Sequence, residues 1–139
     1  MKNTTTYLMF NGNAKEAMSF YAKCLDAELQ VMPFGEENSK GAPENKDRTM
    51  HANLSKGPLQ GFLMASDSMP GQDVQIGDNF NVCINCESMD EIKTLFAAFS
   101  DGGTVLCPLQ DMFWGAHFGI VKDRFSVAWM FNYELPKAS

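Results

Sequence analysis

Two segments of the chain carry apolar residues at helical spacing, three or four positions apart. These positions are Ala14, Ala17, Met18, Tyr21 and Leu25 in the first segment, and Ile92, Leu95, Phe96 and Phe99 in the second. A capping residue precedes each segment, Asn13 and Ser88, and three positions later stands a glutamate that can reach back to the first turn. We therefore predict helices over residues 14 to 25 and 89 to 99, each with one buried face.

The two helices belong to an internal repeat. Matching residues recur at a shift of 75 positions near the helices and at a shift of 66 positions further along. The matched pairs are Glu16 with Glu91 and Pro33 with Pro108 at the first shift, and His51 with His117 and Met64 with Met130 at the second. The first half is therefore longer in its middle, and the polar, turn-rich segment 35–47 is predicted to be the extra loop.

Each half predicts one strand, one helix and three further strands, which make a βαβββ module. Strands are expected at 7–10, 28–34, 49–54 and 60–66, and again at 80–85, 104–109, 116–121 and 125–133. At 139 residues the chain fits a single α+β domain, with module one at 1–67, a connector at 68–78 and module two at 79–139. Because each helix can cover one face of its own sheet, we expect the two sheets to form an open curved barrel around a shared cavity.

Four segments, which together span nearly the whole chain, carry a family resemblance. They read YLMFNGNAKEAMSFY, RTMHANL, MASDSMPG and GGTVLCPLQDMFWGAHFGIVKDRFSVAWMFN. The chain resembles the vicinal oxygen chelate superfamily, which contains the glyoxalase-like and bleomycin resistance proteins. It is most similar to the PhnB-like branch, often labelled 3-demethylubiquinone 3-methyltransferase-like. The resemblance implies paired βαβββ modules and a homodimer in which modules pair across the subunits.

The methyltransferase label of that branch finds no support in the residues. A typical site for an adenosylmethionine methyl donor needs a doubly wound sheet with a glycine-rich first loop and an acidic partner for the ribose. This sequence has no G-x-G-x-G after its first strand, and its order of strands and helices is different. We expect no such cofactor.

Enzymes of the wider superfamily hold a divalent metal through ligands on the first and last strand of each module. The resemblance and the repeat place those four positions at Thr6, Met64, Asn81 and Met130. Neither methionine offers a hard anionic oxygen, and Thr6 and Asn81 supply no imidazole or carboxylate. We therefore expect no metal at the usual place.

The two histidines are predicted to point into the cavity. If the hairpins turn at 57–58 and 123–124, His51 faces Met64 and His117 faces Met130, and directly paired residues share a face of the sheet. A histidine there can act as a general acid or base, or hydrogen-bond a ligand. A structural histidine bonded to a carbonyl is the open alternative. Together with Asn81 and water, the two histidines could also form a weak metal site.

The aromatic stretch before the second histidine is predicted to lie at the rim of the cavity. Phe113 and Trp114 fall at the bend before the strand, where one of them contacts a ligand or a second subunit. Gln110 and Asp111 either orient a polar substrate from the same rim or are plain exposed turn residues. Because strand side chains alternate in direction, an inward His117 places Phe118 on the helix side, in the core.

Charge and composition exclude several partners. The net charge of -6 and the pI near 4.8 argue against nucleic acid and anionic membranes, and no apolar run reaches the ~18 residues needed to cross a bilayer. The four cysteines include a C-x-x-C pair, Cys83 and Cys86. This pair lies in an apolar strand-like run, so we predict buried thiols in a reducing compartment rather than half of a zinc site. We expect a cytoplasmic protein.

The favoured function is binding of a small organic molecule in the cavity without the usual metal. The predicted ligand-binding residues are His51, Met64, Asn81, Gln110, Phe113, Trp114, His117 and Met130. The alternative is a lyase, isomerase or dioxygenase-type enzyme that uses His51 or His117, with or without a divalent metal. A third hypothesis is a subunit or regulatory module whose cavity only closes a dimer.

Overall fold

The structure is a computed structural model that describes residues 1–35 and 45–137. The chain divides into two compact units, Met1–Gln75 and Ile76–Ser139. Each unit contains one four-stranded mixed sheet and one helix, so the protein is α+β with two βαβββ modules, as predicted. Of the predicted loop at 35–47, positions 36–44 lie outside the described residues.

The first unit begins with strand β1 and ends with strand β4, which pair in parallel. Its elements are β1 (Thr6–Phe10), α1 (Ala14–Leu25), β2 (Glu28–Pro33), β3 (Thr49–Lys56) and β4 (Leu59–Asp67). The order across the sheet is β1-β4-β3-β2, and the other two pairings are antiparallel. Helix α1 covers one face, where the buried side chains are Ala14, Ala17, Met18 and Tyr21 of the helix and Leu8, Phe10, Ala52, Leu54, Leu63 and Ala65 of the sheet.

The second unit repeats this topology. Its elements are β5 (Val82–Asn85), α2 (Met89–Ser100), β6 (Thr104–Met112), β7 (Ala116–Lys122) and β8 (Ala128–Glu134), in the order β5-β8-β7-β6. Under α2 the core is aromatic, because the Phe99 ring centroid lies 4.7 Å from that of Trp129 and 5.3 Å from that of Phe131. Gly119 of β7 also faces the helix, since a Cβ there would lie 2.6 Å from Cε2 of Phe96.

Both helices begin where the sequence predicts, but they are capped in different ways. Ser88 Oγ accepts a hydrogen bond from the Glu91 backbone N–H at 3.0 Å, which is the predicted cap of α2. Asn13 makes no side-chain capping bond. At that helix the carboxylate of Asp67 accepts the backbone N–H of Ala14, so the cap comes from the end of β4.

The strands differ from prediction mainly at their ends. β6 continues to Met112, three residues beyond the predicted end, whereas β5 begins at Val82 and β8 at Ala128 rather than at 80 and 125. The helices have 12 residues each, and within the described part of the chain none is long and apolar enough to span a membrane.

Candidate functional site

The face of the first sheet opposite α1 is the first candidate surface, and we call it the first open face. Core residues such as Leu54 and Leu63 point toward α1, so the residues that alternate with them point away from it. The first open face includes Tyr7, Met9, Met32, His51, Met64 and Ser66. Three of these side chains are large, mainly apolar and exposed to solvent: Tyr7 at 45%, Met9 at 47% and Met32 at 59%.

A hydrogen-bonded pair of side chains lies on this face. Tyr7 Oη is 3.1 Å from His51 Nδ1, and the two ring centroids are 5.7 Å apart. The contact fixes the orientation of the imidazole through one ring nitrogen, which leaves Nε2 available to another partner. The pair therefore joins two strands, β1 and β3, through polar atoms on a face that also carries three methionines and the amides of Gln30 and Asn53.

His51 shares a face with Met64, but the two residues are not directly opposite each other. The hairpin begins with Lys56 opposite Leu59 and then shifts, so that Leu54 is opposite Leu63 and Met64 pairs with Asn53. Gly61, at φ +58°, lies in this bulge, and its backbone N–H donates to Ser55 Oγ at 2.8 Å. The predicted pairing is wrong by two positions, and because two is even, His51 stays on the open face.

The prediction for His117 is wrong in a more consequential way. In β7 and β8, His117 pairs with Tyr133, while Met130 pairs with Ile120. The slip is three positions, which is odd, so it moves His117 to the face that α2 covers, together with Gly119. Phe118, predicted to be core, lies on the opposite side.

The turn between these strands explains the slip. Asp123 and Val127 pair across a three-residue turn in which Ser126 has φ +69°, rather than the predicted two-residue turn. The Asp123 carboxylate, 4% exposed, accepts the backbone N–H groups of Phe125 and Val127 and, at 2.8 Å, the indole N–H of Trp129. A buried side chain therefore sets the register from within the turn.

His117 has a carboxylate partner on the neighbouring strand. Its Nδ1 lies 2.7 Å from Oδ1 of Asp111, with the histidine side chain 13% and the aspartate side chain 68% exposed. This arrangement orients the imidazole by a carboxylate, in place of the carbonyl that the structural alternative predicts. The pair belongs to the helix-covered side of the second sheet, so it does not face the same way as Met130.

The second open face is the side of the second sheet opposite α2. It includes Cys83, Gln110, Phe118, Ile120, Met130 and Asn132. At its β6 edge the Trp114 ring lies 5.8 Å from Phe118, and Phe113 lies 5.1 Å from Trp114. Gln110 is directly opposite Phe118. The predicted rim residues Gln110, Phe113 and Trp114 are thus brought together around Phe118.

The four positions of the superfamily's metal ligands do not fit a hard divalent ion. Thr6 pairs with the core residue Leu63 and so lies on the α1 side of the first sheet, and Asn81 is an exposed residue just before β5. Met64 and Met130 do lie on open faces, but their thioethers are soft ligands. Within the described residues no three of His, Cys, Asp and Glu are grouped closely enough to hold a metal ion.

The cysteines are all free, and they differ in exposure. Cys86 is buried, as predicted, and burial, with smaller contributions from Glu91 and Cys83, raises its pKa to about 12. Cys83 is exposed on the second open face, which corrects the prediction of two buried thiols. Partial burial still raises the Cys83 pKa above its usual value.

Sequence reasoning missed Tyr7, assigned Phe118 to the core, and assigned Asp111 to the rim rather than to His117. A signal for Tyr7 exists, because Leu8 and Phe10 are the apolar positions of β1, and alternation then places Tyr7 on the other face. Phe118 and Asp111 depend on the register of β7, which the sequence does not reveal.

The comparison with known families gives one clear match. Residues 2–131 match the model of the family described as 3-demethylubiquinone-9 3-methyltransferase. The chain belongs to this family. Protein YjdN of Escherichia coli (strain K12) is 31% identical over 137 residues, which cover 91% of each chain.

Two similar solved structures agree with this assignment. Protein PA1353 from Pseudomonas aeruginosa is 39% identical, with a TM-score of 0.81 over 98% of this chain and 100% of the other. A protein described as a putative 3-demethylubiquinone-9 3-methyltransferase, PhnB protein, from Bacillus cereus is 27% identical, with a TM-score of 0.77 over 95% and 99%. The resemblance to the PhnB-like branch is thereby confirmed.

The wider superfamily shares the fold alone. A glyoxylase/bleomycin resistance protein/dioxygenase domain from Frankia sp. EAN1pec is 14% identical, with a TM-score of 0.69 over 96% of this chain and 98% of that chain. The glyoxalase-like fold predicted from the sequence is confirmed. At this identity the similarity carries no information about the reaction or the ligand.

Proposed function

We propose that this PhnB-like protein binds a small organic molecule on the first open face, with Tyr7 and His51 as the polar anchor. The observation that carries the proposal is the 3.1 Å contact between these two side chains on a face that also exposes the thioethers of Met9 and Met32. Small-molecule sites commonly combine an apolar lining with a few convergent polar groups. The Tyr7–His51 pair provides both a hydroxyl and an imidazole within reach of one ligand group.

The side chains on this face favour a ligand with an apolar, polarizable body. Met9, Met32 and Met64 are flexible and adapt to ligands of different shape, and their sulfur atoms contact aromatic rings favourably. A single hydrogen-bonding group on the ligand then suffices to meet the Tyr7–His51 pair. We expect an aromatic or mixed apolar molecule with one polar substituent.

The second open face also carries side chains that suit the binding of a small organic molecule. Phe118 and Trp114 offer ring surfaces, while Gln110 and Asn132 lie beside Phe118 on the adjacent strands. Of the residues predicted to bind a ligand, Met130, Gln110, Phe113 and Trp114 fit this surface. We include them in the proposal for that reason.

The chemistry of the residues supports binding without the superfamily's divalent metal, and without methyl transfer. The four inherited ligand positions offer no imidazole or carboxylate, as described above. A nucleotide-type methyl donor needs a glycine-rich loop on a doubly wound parallel sheet. Here β1 is followed by Asn11, Gly12 and Asn13, and each sheet has four strands of mixed direction.

The enzymatic alternative rests on the contact between His117 and Asp111. A carboxylate at 2.7 Å holds one nitrogen of the imidazole and leaves the other available for proton transfer, which is a common arrangement for a general base. We keep this as the second candidate, an acid-base enzyme acting on a small organic substrate at the β6–β7 edge. It predicts a reaction that Asp111→Asn and His117→Ala both abolish.

Assembly and location are further proposals. A homodimer is supported by the exposed apolar residues Val105 and Leu106 of β6, which is an edge strand of its sheet, and by the exposed Phe113 just after that strand. A reducing, cytoplasmic setting is supported by the four free cysteines.

Two measurements on untagged protein test the proposed function. Elemental analysis is expected to find far less than one divalent metal ion per chain, and removal by a chelator to leave thermal stability unchanged. Screening small organic compounds by thermal unfolding is expected to give stabilising compounds whose effect shrinks in His51→Ala. Stoichiometric divalent metal bound through the histidines, or stabilisation that is unchanged in His51→Ala, would contradict the proposal.

A further inference from the structure

One row of side chains across the first open face has a methionine on each side of a histidine. Met9 of β1 is directly opposite Ser66 of β4, and Met32 of β2 is directly opposite His51 of β3. The Ala52–Ala65 pair, continued by one position, places Ser66 next to His51. The row therefore runs Met9, Ser66, His51, Met32 across four adjacent strands.

The side chains of this row are oriented by their neighbours. Ser66 Oγ lies 3.4 Å from Met9 Sδ and donates to it, so the thioether of Met9 lies over Ser66, on the side toward His51. Tyr7 Oη contacts His51 Nδ1, which holds the imidazole through one nitrogen and leaves Nε2 for a ligand. A second group that orients a ligating histidine in this way is a usual feature of metal sites.

The donor set on this face selects for a particular class of ion. Two thioethers and one imidazole are soft or borderline ligands, which favour Cu(I) and related ions and give little to Mg²⁺ or Ca²⁺. Thioethers bind in their neutral form, so a monovalent ion brings only one charge to a half-exposed surface. We propose that Met9, His51 and Met32 bind one soft monovalent cation of the Cu(I) and Ag(I) class.

This site goes beyond the proposed binding of an organic molecule, although both use His51. The cation needs the sulfur atoms of Met9 and Met32 as ligands, whereas the organic ligand is anchored by the polar atoms of the Tyr7–His51 pair and uses the methionines as adaptable apolar lining, a role that leucine largely keeps. Leucine replaces methionine with little change in volume but removes the sulfur. Met9→Leu and Met32→Leu therefore separate the two functions.

The test is an anaerobic competition for Cu(I) between the protein and the colorimetric chelator bicinchoninate. Because thiolates bind Cu(I) strongly, all variants carry Cys24→Ser, Cys83→Ser and Cys107→Ser, and all retain the buried Cys86. We expect one Cu(I) per chain, bound at least about tenfold more weakly in Met9→Leu and Met32→Leu, since each loses a metal ligand. Met89→Leu, at the start of α2 in the other unit, is the matched control and is expected to bind like the parent.

X-ray absorption provides a readout that a purely structural role would not change. The parent is expected to show two sulfur atoms and one imidazole nitrogen around copper. Tyr7→Phe keeps all three ligands and is expected to weaken binding by about tenfold, as is typical for loss of a group that positions a ligating histidine. If Met9→Leu and Met32→Leu compete like Met89→Leu, or if the spectra show no imidazole nitrogen, the site does not exist. Binding of organic compounds, measured without copper, is unaffected by that result.

Discussion

Oδ1 of Asp67 lies 2.9 Å from the backbone nitrogen of Ala14, so the last residue of β4 caps the first helix. The same carboxylate accepts the N–H of Gly12 at 2.9 Å and that of Thr49 at 2.8 Å. Asp67 is 4% exposed, and its negative charge lies at the helix N-terminus, where it is favourable. One buried side chain thus joins three elements of the first unit, β4, α1 and β3.

Replacing this carboxylate is expected to destabilise the first unit strongly. Asp67→Ala leaves three backbone N–H groups without an acceptor, and each buried donor that loses its partner costs about 1–3 kcal/mol. We expect a loss of at least about 3 kcal/mol in the free energy of unfolding, measured by urea denaturation, and a smaller loss in Asp67→Asn. The exposed Asp73→Ala serves as the control. Equal stability of Asp67→Ala and Asp73→Ala would show that the cap is not important.

The second prediction concerns Gly119, which lies under α2 where there is no room for a side chain. A methyl group at this position would lie 2.6 Å from Phe96 Cε2 and 3.0 Å from the carbonyl oxygen of Cys107. Gly119→Ala is therefore expected to lower the free energy of unfolding by about 1–3 kcal/mol through overpacking. Gly77→Ala, where the nearest atom is 3.6 Å away, is the matched control and should change little. An unchanged urea midpoint in Gly119→Ala would mean that Phe96 of α2 does not pack closely against Gly119 of β7.

Much of this architecture can be predicted from the sequence, because helices and strands are signalled by residues that are close together along the chain. Both helices begin at their predicted residues, because the capping residues and the apolar spacing lie within a few positions of each other. Every predicted strand exists, since β-strand periodicity is also a short-range signal.

The candidate site was harder to predict, because it depends on hairpin register. The shift of 66 matches His51 with His117, but register gives another equivalence. The Ala52–Ala65 pair of the first sheet corresponds to the Gly119–Phe131 pair of the second sheet. The residue just before each pair is His51 in β3 and Phe118 in β7, so the structural counterpart of His51 is Phe118 rather than His117. A bulge at Gly61 and a three-residue turn with Ser126 at positive φ produce this difference. Neither is visible in the hydrophobic pattern, and a slip of one residue exchanges the faces.

The buried thiol of Cys86 makes a prediction about pH. Its pKa is raised to about 12, mainly by burial, from the usual value of 9.0. Between these values the unfolded thiol ionises while the folded one stays protonated, so the unfolded state loses the proton first. The stability that this group contributes is full below pH 9 and falls as pH rises toward 12.

The measurement is the free energy of unfolding at pH 8 and pH 10 under reducing conditions. The parent protein is expected to lose more stability between these values than Cys86→Ala, which has no thiol to ionise. Alkylation by iodoacetamide at pH 8 should modify the exposed Cys83 well before Cys86. Fast modification of Cys86, or the same pH dependence in both proteins, would show that the thiol is not protected.

The central claim, that the first open face binds an organic ligand through Tyr7 and His51, is tested most directly by NMR. Protein labelled with 13C at the methionine methyl groups is titrated with small aromatic compounds that carry one hydrogen-bonding substituent. We predict that binding compounds shift the methyl signals of Met9, Met32 and Met64 together. We also predict that Tyr7→Phe weakens binding severalfold, whereas Tyr133→Phe, on the helix-covered face of the second sheet, does not. Compounds that bind without moving these three signals, or that bind Tyr7→Phe and Tyr133→Phe equally, would contradict the claim.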